Sequence, residues 1–165
     1  MFKPSAKSMQ RFFKTVKAEE EALQQEQVIG TLQSLLMDEY QQRDLYESYD
    51  YLFFGLASSP IQEHLREHAE QEMDHARVLQ RYLVAYGAIP TLERKPIPVV
   101  EPLSFEGILQ KDLELEHAAV ENYTQMIKML EGDDAYTALR VDLENIIVQE
   151  QEHVHDLSQW LREYN

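Results

Sequence analysis

Four of the six prolines, Pro90, Pro96, Pro98 and Pro102, fall within the 16 residues from Ala88 to Leu103, and on either side of that stretch chain breakers almost vanish. Proline has no backbone N–H and cannot sit inside a helix, so this segment is extended. With only five glycines in 165 residues, the rest lacks the turn chemistry that sheets need every few residues, and long helices are the default. Ser58-Ser59-Pro60 reads as a cap with proline at the first helical position, and Gly87 and Pro90 close a helix of about 27 residues. Ser104 caps a helix from Phe105 to about Glu131, Gly132-Asp133-Asp134 break it, and another runs from about Asp134 to Glu163. Upstream, Gln27 to Leu56 contains only Gly30 and, next to its end, Gly55 as breakers, and Val28, Leu32, Leu35, Leu36, Tyr46, Tyr49 and Phe53 recur at helical spacing. The expected fold is all-α: two helical hairpins joined by a long crossover. A helix of that length spans roughly 40 Å at about 1.5 Å per residue, a distance that the extended segment can retrace at about 3.3 Å per residue.

Composition narrows the chemistry. The chain is 44% hydrophobic and 27% charged, which suits one domain. Thirty acidic against fifteen basic residues give a formal charge of -15, unsuited to polyanion binding by the whole surface. Without cysteine there is no disulfide, thiol nucleophile or thiolate metal site, so any metal relies on carboxylate, imidazole or Met sulfur. No apolar run reaches the roughly 18 residues of a membrane span and the start lacks a secretory apolar centre, so the chain reads as soluble and cytoplasmic.

The two halves repeat one polar pattern. Glu39 and Tyr46 lie seven apart, and 33 residues after Glu39 comes Glu72-Met73-Asp74-His75. Glu116 and Tyr123 repeat that spacing, and 34 residues after Glu116 comes Glu150-Gln151-Glu152-His153. Residues three apart are neighbours on a helix, so each Glu-x-x-His offers an oxygen and a nitrogen to one point. A single copy in so acidic a chain has coincidence as its simplest explanation; two copies at matching distances do not. Four carboxylates turned inward together repel one another unless cations neutralise them, and two divalent ions do so. The oxygen-rich donor set with two imidazoles suits iron or manganese. One Glu from each of two helices with Glu-x-x-His from the other two is the di-iron carboxylate arrangement of ferritin-like four-helix bundles.

The motifs are similar to those of bacterioferritin. The resemblance covers about residues 27–163 and lies in Gln27-Val28-Ile29 leading to Asp38-Glu39, in Glu72-Met73-Asp74-His75-Ala76, in Asp112-Leu113-Glu114-Leu115-Glu116 and in Glu150-Gln151-Glu152-His153. It implies a di-iron centre in which Glu72 and Glu150 bridge, Glu39 and His75 complete one site, and Glu116 and His153 complete the other. It also implies a ferroxidase, oxidising two Fe(II) with O2 or H2O2 for storage or detoxification, with Tyr46 as the tyrosine beside the centre. Core packing, with its hydroxyl bonded to a carboxylate, is the competing role for Tyr46. Tyr123 is more typical of rubrerythrin-like peroxidases, but Ala119 stands where those have an extra glutamate.

Several features depart from that pattern. No fifth helix follows His153, so the expected assembly is a homo-oligomer of antiparallel dimers other than the usual 24-subunit cage. Residues 1–26 form an extension to the bundle domain of 27–165. Lys3, Lys7, Arg11, Lys14 and Lys17 give it basic character, and Met9, Phe12, Phe13 and Val16 line up as an apolar stripe, so Ser5 to about Gln25 reads as an additional amphipathic helix. A helix packing on a neighbouring subunit, or a disordered arm, is favoured over nucleic-acid or membrane contact through residues 1–17. Met73 matches the haem-ligating methionine of bacterioferritin, but Tyr40, Arg43, Asp44, Glu47 and Glu70 around it are poor walls for a macrocycle, so haem is not expected. His64, His68 and His75 share a stripe. For His68 a surface or capping role is weighed against an accessory ligand or a lining of the iron path, and His117 and His155 point elsewhere. A Dps-like DNA-associated protein and a di-iron oxidase or peroxidase with another substrate are the alternative functions.

Overall fold

The computed structural model describes residues 6–52, 59–101 and 103–164. It contains helices α1 (Ala6–Leu52), α2 (Ser59–Ala85), α3 (Phe105–Met129) and α4 (Thr137–Tyr164), the last preceded by a 3-10 turn at Asp134–Tyr136. Among the described residues there is no strand. The expected termini follow from local chemistry. Ser104 has extended backbone, and its hydroxyl accepts from the Gly107 N–H at 3.1 Å. Helix α2 ends in a Schellman turn: Gly87 has φ +80°, its N–H donates to the Val84 carbonyl, and the Ala88 N–H donates to that of Leu83 at 2.8 Å. The first turn after Gly132 is 3-10 because the Asp133 carboxylate accepts from the Ala135 N–H, so α-helix proper starts at Thr137. Nothing lies within 4 Å of a Cβ built on Gly87, so Gly87→Ala meets only the left-handed backbone cost. We expect a loss of about 1–2 kcal/mol, read as a fall of a few degrees in Tm.

From Ala6 on, the N-terminal extension is helical but is not an additional helix. Helix α1 runs unbroken for 47 residues, because residues 18–29 are almost all good helix formers and one glycine costs only about 1 kcal/mol. Among the described side chains the first buried residue of α1 is Val28, and Gln25 still donates to the Tyr86 carbonyl at 3.2 Å, so the part before Gln25 stands beyond the bundle with Lys7, Arg11, Lys14 and Lys17 exposed. Lys3, Ser5 and the side chains of Met9 and Phe12 lie outside the described residues, as do Phe53 to Ser58.

Side chains of α1 pin the crossover along its length. Gln33 donates to the Ile89 carbonyl at 2.7 Å and accepts from the Thr91 N–H, Lys95 pairs with Asp38, and Gln41 and Tyr49 donate to the carbonyls of Pro96 and Pro98. The guanidinium of Arg94 lies 3.4 Å from the Tyr40 ring centroid. Because the crossover runs with α1, α3 enters antiparallel to it. Two apolar clusters form. The larger holds Leu32, Leu36, Leu79, Leu83, Met126, Leu139 and Leu143, the smaller Leu45, Tyr49, Leu65 and Ile108. On α1, α2 and α3 the motif glutamates fall between them, and on α4 Glu150 and His153 follow the last residue of the larger cluster, Ile146.

Candidate metal centre

Each helix brings its motif residues to that gap. Glu39, Glu72, His75, Glu116, Glu150 and His153 are all buried, with at most 2% of their surface exposed. They form two groups sharing Glu72 and Glu150: one adds Glu39 and His75, the other Glu116 and His153, and within each group one donor atom per residue lies within 4.8 Å of the rest. The His75 Nδ1 is 3.3 Å from Glu39, 3.2 Å from Glu72 and 3.0 Å from Glu150. The His153 Nδ1 is 3.2 Å from Glu72, 3.4 Å from Glu116 and 3.4 Å from Glu150.

The outer nitrogens are tied down crosswise. His75 Nε2 donates to Gln149 Oε1 at 2.8 Å, and His153 Nε2 donates to Gln71 Oε1 at 2.7 Å. Each glutamine directly precedes the Glu of the opposite motif, so the pattern is a repeated Gln-Glu-x-x-His. Fixing the proton on Nε2 turns Nδ1 inward, the orientation a metal-binding imidazole needs. The tyrosines cross in the same way: Tyr46 donates to Glu116 and Tyr123 donates to Glu39. Burial pushes both phenols well above their ordinary pKa, with the facing carboxylates adding to it, so both stay protonated.

The protonation pattern without metal is that of a site short of positive charge. Burial disfavours the imidazolium, but the Glu116, Glu150 and Glu72 carboxylates more than offset it and push His153 up to about 12; His75 is raised further by the same competition. Burial raises Glu39 well above the carboxylate range and, with the Glu150 charge, takes Glu116 to about 7. Glu72 and Glu150, also opposed by burial, are nonetheless lowered by the two imidazoles that face them. Even so, buried acceptors remain unmet: Glu39 Oε2, Glu72 Oε1, Glu116 Oε2 and both Glu150 oxygens have no hydrogen-bond partner. His153 Nδ1 also has none, being near the carboxylates but not aligned to bond them. Unpaired buried oxygens of this kind are costly. Two divalent cations would meet them and balance the four carboxylates, so the donor set fits a pair of hard metal ions.

The chain matches the ferritin-like domain family model over residues 29–165. It belongs to the ferritin-like family. No curated protein matches it. The expected four-helix bundle of this ferritin-like chain is therefore shown, and its buried carboxylate and histidine groups are compatible with metal.

Other side chains refine the earlier reading. His117 and His155 are exposed, as expected. His68, for which a surface or capping role was favoured, is instead buried: its ring stacks on His153 at 4.0 Å and meets Tyr46 edge-on at 5.5 Å. Spacing gave its face but not its depth. Burial, then the nearby His153 and His64, push its pKa down to about 2, so it is neutral. Gln71, Gln149 and Asp112 were missed. The glutamines were visible as part of the repeat. Asp112, one turn before Glu116, is buried with neither oxygen bonded, and burial raises it well above the carboxylate range. Replacing Gln71 or Gln149 by Ala should weaken divalent-metal binding by about 10–100-fold with helix content unchanged, measured by metal competition titration.

Proposed function

We propose that the chain is a ferroxidase that binds two Fe(II) and passes their electrons to O2 or H2O2. The convergence of six buried donors, with carboxylate oxygens left unbonded, carries this reading. Glu72 and Glu150 belong to both groups and are assigned as bridges, Glu39 and His75 complete one site, and Glu116 and His153 the other. Two Fe(II) yield two electrons, which with two protons reduce O2 to H2O2. The chain's own part is to hold both ions in a dry, charge-balanced gap and to fix the imidazoles through Gln71 and Gln149. Tyr46 is assigned a redox role: Tyr46→Phe slows oxidation without changing the number of ions bound. An anaerobic Fe(II) titration followed by an O2 pulse tests the proposal, with a break near two ions per chain and oxidation that needs oxygen. No break near two sinks it; a break with Mn(II) but no Fe(II) oxidation moves the centre to manganese.

The narrower likeness to bacterioferritin rests on the motif residues. We assign storage or detoxification in the cytoplasm by a homo-oligomer. No described helix is long and apolar enough to cross a membrane. Haem is not part of the proposal, since the groove around Met73 is lined by Arg43, Glu47, Arg66, Glu70, Asp74 and Arg77. A Dps-like role has one observation in its favour: Lys7, Arg11 and Lys14 are exposed at spacings of four and three on α1, hence on one face. DNA retention lost at high salt, and lost on deleting residues 1–17, would establish it.

A further inference from the structure

Beside the paired centre lies a second set of ligand types on the outer ends of α2 and α4. His64 and His68 are one turn apart on α2, and Asp156 and Trp160 are one turn apart on α4. One donor atom from each of His64, His68 and Asp156 lies within 4.8 Å of the others. His68 Nε2 is 3.9 Å from Asp156 Oδ2, too far for a hydrogen bond. Donors around a metal bound at about 2.1 Å stand roughly 3.0–3.4 Å apart, so a small side-chain adjustment closes the set. His68 is only 3% exposed, and its Nδ1 is buried with no hydrogen-bond partner. A histidine kept for packing usually has its ring polar atoms paired. His64 is half exposed, with Glu67 at 3.4 Å as a further acidic neighbour. Trp160 lies against both imidazoles, 5.4 Å from His64 and 6.0 Å from His68 between ring centroids.

We propose that His64, His68 and Asp156 form a third, mononuclear site for a divalent cation, which receives Fe(II) from solvent and stages it for the paired centre. The site runs from an exposed imidazole to a buried one, and that buried ring stacks on His153 at 4.0 Å. His153 in turn faces Glu72, Glu116 and Glu150. An ion at His68 is thus one imidazole away from the inner carboxylates. An i, i+4 histidine pair on a helix face is a strong chelating spacing, and a carboxylate from the facing helix completes a set that suits Fe(II) or Co(II). The identity of the cation as Fe(II) rests on the ferroxidase reading; the existence of the site does not.

Trp160 is the only tryptophan in the chain and lies beside the site, so its fluorescence is a reporter. The probe is Co(II), a paramagnetic quencher that does not turn over under anaerobic conditions. The background is Glu72→Ala/Glu150→Ala, in which the paired centre is disabled. There Co(II) should quench Trp160 saturably, with one ion bound per chain. Adding His64→Ala/Asp156→Ala, two side chains with solvent exposure, should abolish both quenching and the bound ion while circular dichroism stays unchanged. Unquenched Trp160 in the first variant overturns the proposal, and so does quenching that survives in the second. In the otherwise native chain, Fe(II) binding continues past the break near two to a third, weaker ion per chain; His64→Ala/Asp156→Ala should remove that third ion and keep the break near two, and equal counts overturn the proposal. The paired centre is read separately, as the drop in count that Glu72→Ala/Glu150→Ala alone produces.

Discussion

Glu72→Ala and Glu150→Ala should each cut the rate of Fe(II) oxidation by about a hundredfold or more. Removing a supporting residue one bond away from a ligand already costs about 10–100-fold in metal affinity, and these two carboxylates each belong to both donor groups. Losing either one removes charge from both ions. Glu39→Ala and Glu116→Ala each strip only one group, so they should leave one ion tightly held and one weak. Glu72 faces both imidazoles, at 3.2 Å from each, so its loss also leaves His75 and His153 with fewer counter-charges. Glu72→Gln keeps the shape and one acceptor oxygen and separates the charge effect from a packing defect. Stopped-flow oxidation at saturating Fe(II) gives the rate, and circular dichroism reports the fold. If Glu72→Ala oxidised Fe(II) at the native rate with native stoichiometry, the assignment of the shared carboxylates would be wrong.

The architecture was readable because its punctuation is sparse and local. The four prolines of the crossover, Ser104 and the glycines at 87 and 132 act on their own backbone, so their effect does not wait on the rest of the fold. The six buried donors were readable because the pattern occurs twice. What the sequence hid depends on neighbours in space. Helix propensity runs smoothly through residues 18–35, so nothing in it marks Val28 as the place where burial begins along α1. The crossed pairs, Tyr46 with Glu116 and Tyr123 with Glu39, join helices whose relative register no spacing rule supplies. His68 shares a stripe with His64 and His75, yet it is the approach of Tyr46 from α1 and of His153 and Trp160 from α4 that packs around it. Asp112 belongs to the segment that resembles bacterioferritin, but its burial without a partner shows only in the folded chain.

Divalent metal should raise Tm, and by more at pH 8 than at pH 6. In the metal-free protein His153, with a folded pKa pushed up to about 12, and His75, raised further, are protonated when folded. Their stabilisation is complete below the ordinary 6.5 and is lost as pH rises from there toward the folded values. Glu116, raised to about 7, acts in the same direction: ionising it as pH climbs from 4.5 to 7 costs the folded state. Glu72 and Glu150 are lowered, so their contribution is present above 4.5 and disappears as pH falls below it. Metal-free stability therefore is greatest near pH 4.5 and declines above it, first as Glu116 and Glu39 ionise and then, above 6.5, through the imidazoles, by about 1.4 kcal/mol per pH unit for each extra proton the folded state holds. Metal takes the place of the protons on Nδ1, so its affinity rises with pH as those protons become easier to displace. At a hundredfold excess over Kd each site adds about 2.7 kcal/mol, so two sites give roughly 5 kcal/mol, or about 10–20 °C in Tm for a chain of this size. Scanning calorimetry with and without Zn(II), which is redox-silent, measures the gap at the two pH values. A gap that stayed constant or narrowed toward pH 8 would mean that the imidazoles do not exchange protons for metal, and the donor assignment of His75 and His153 would fall with it.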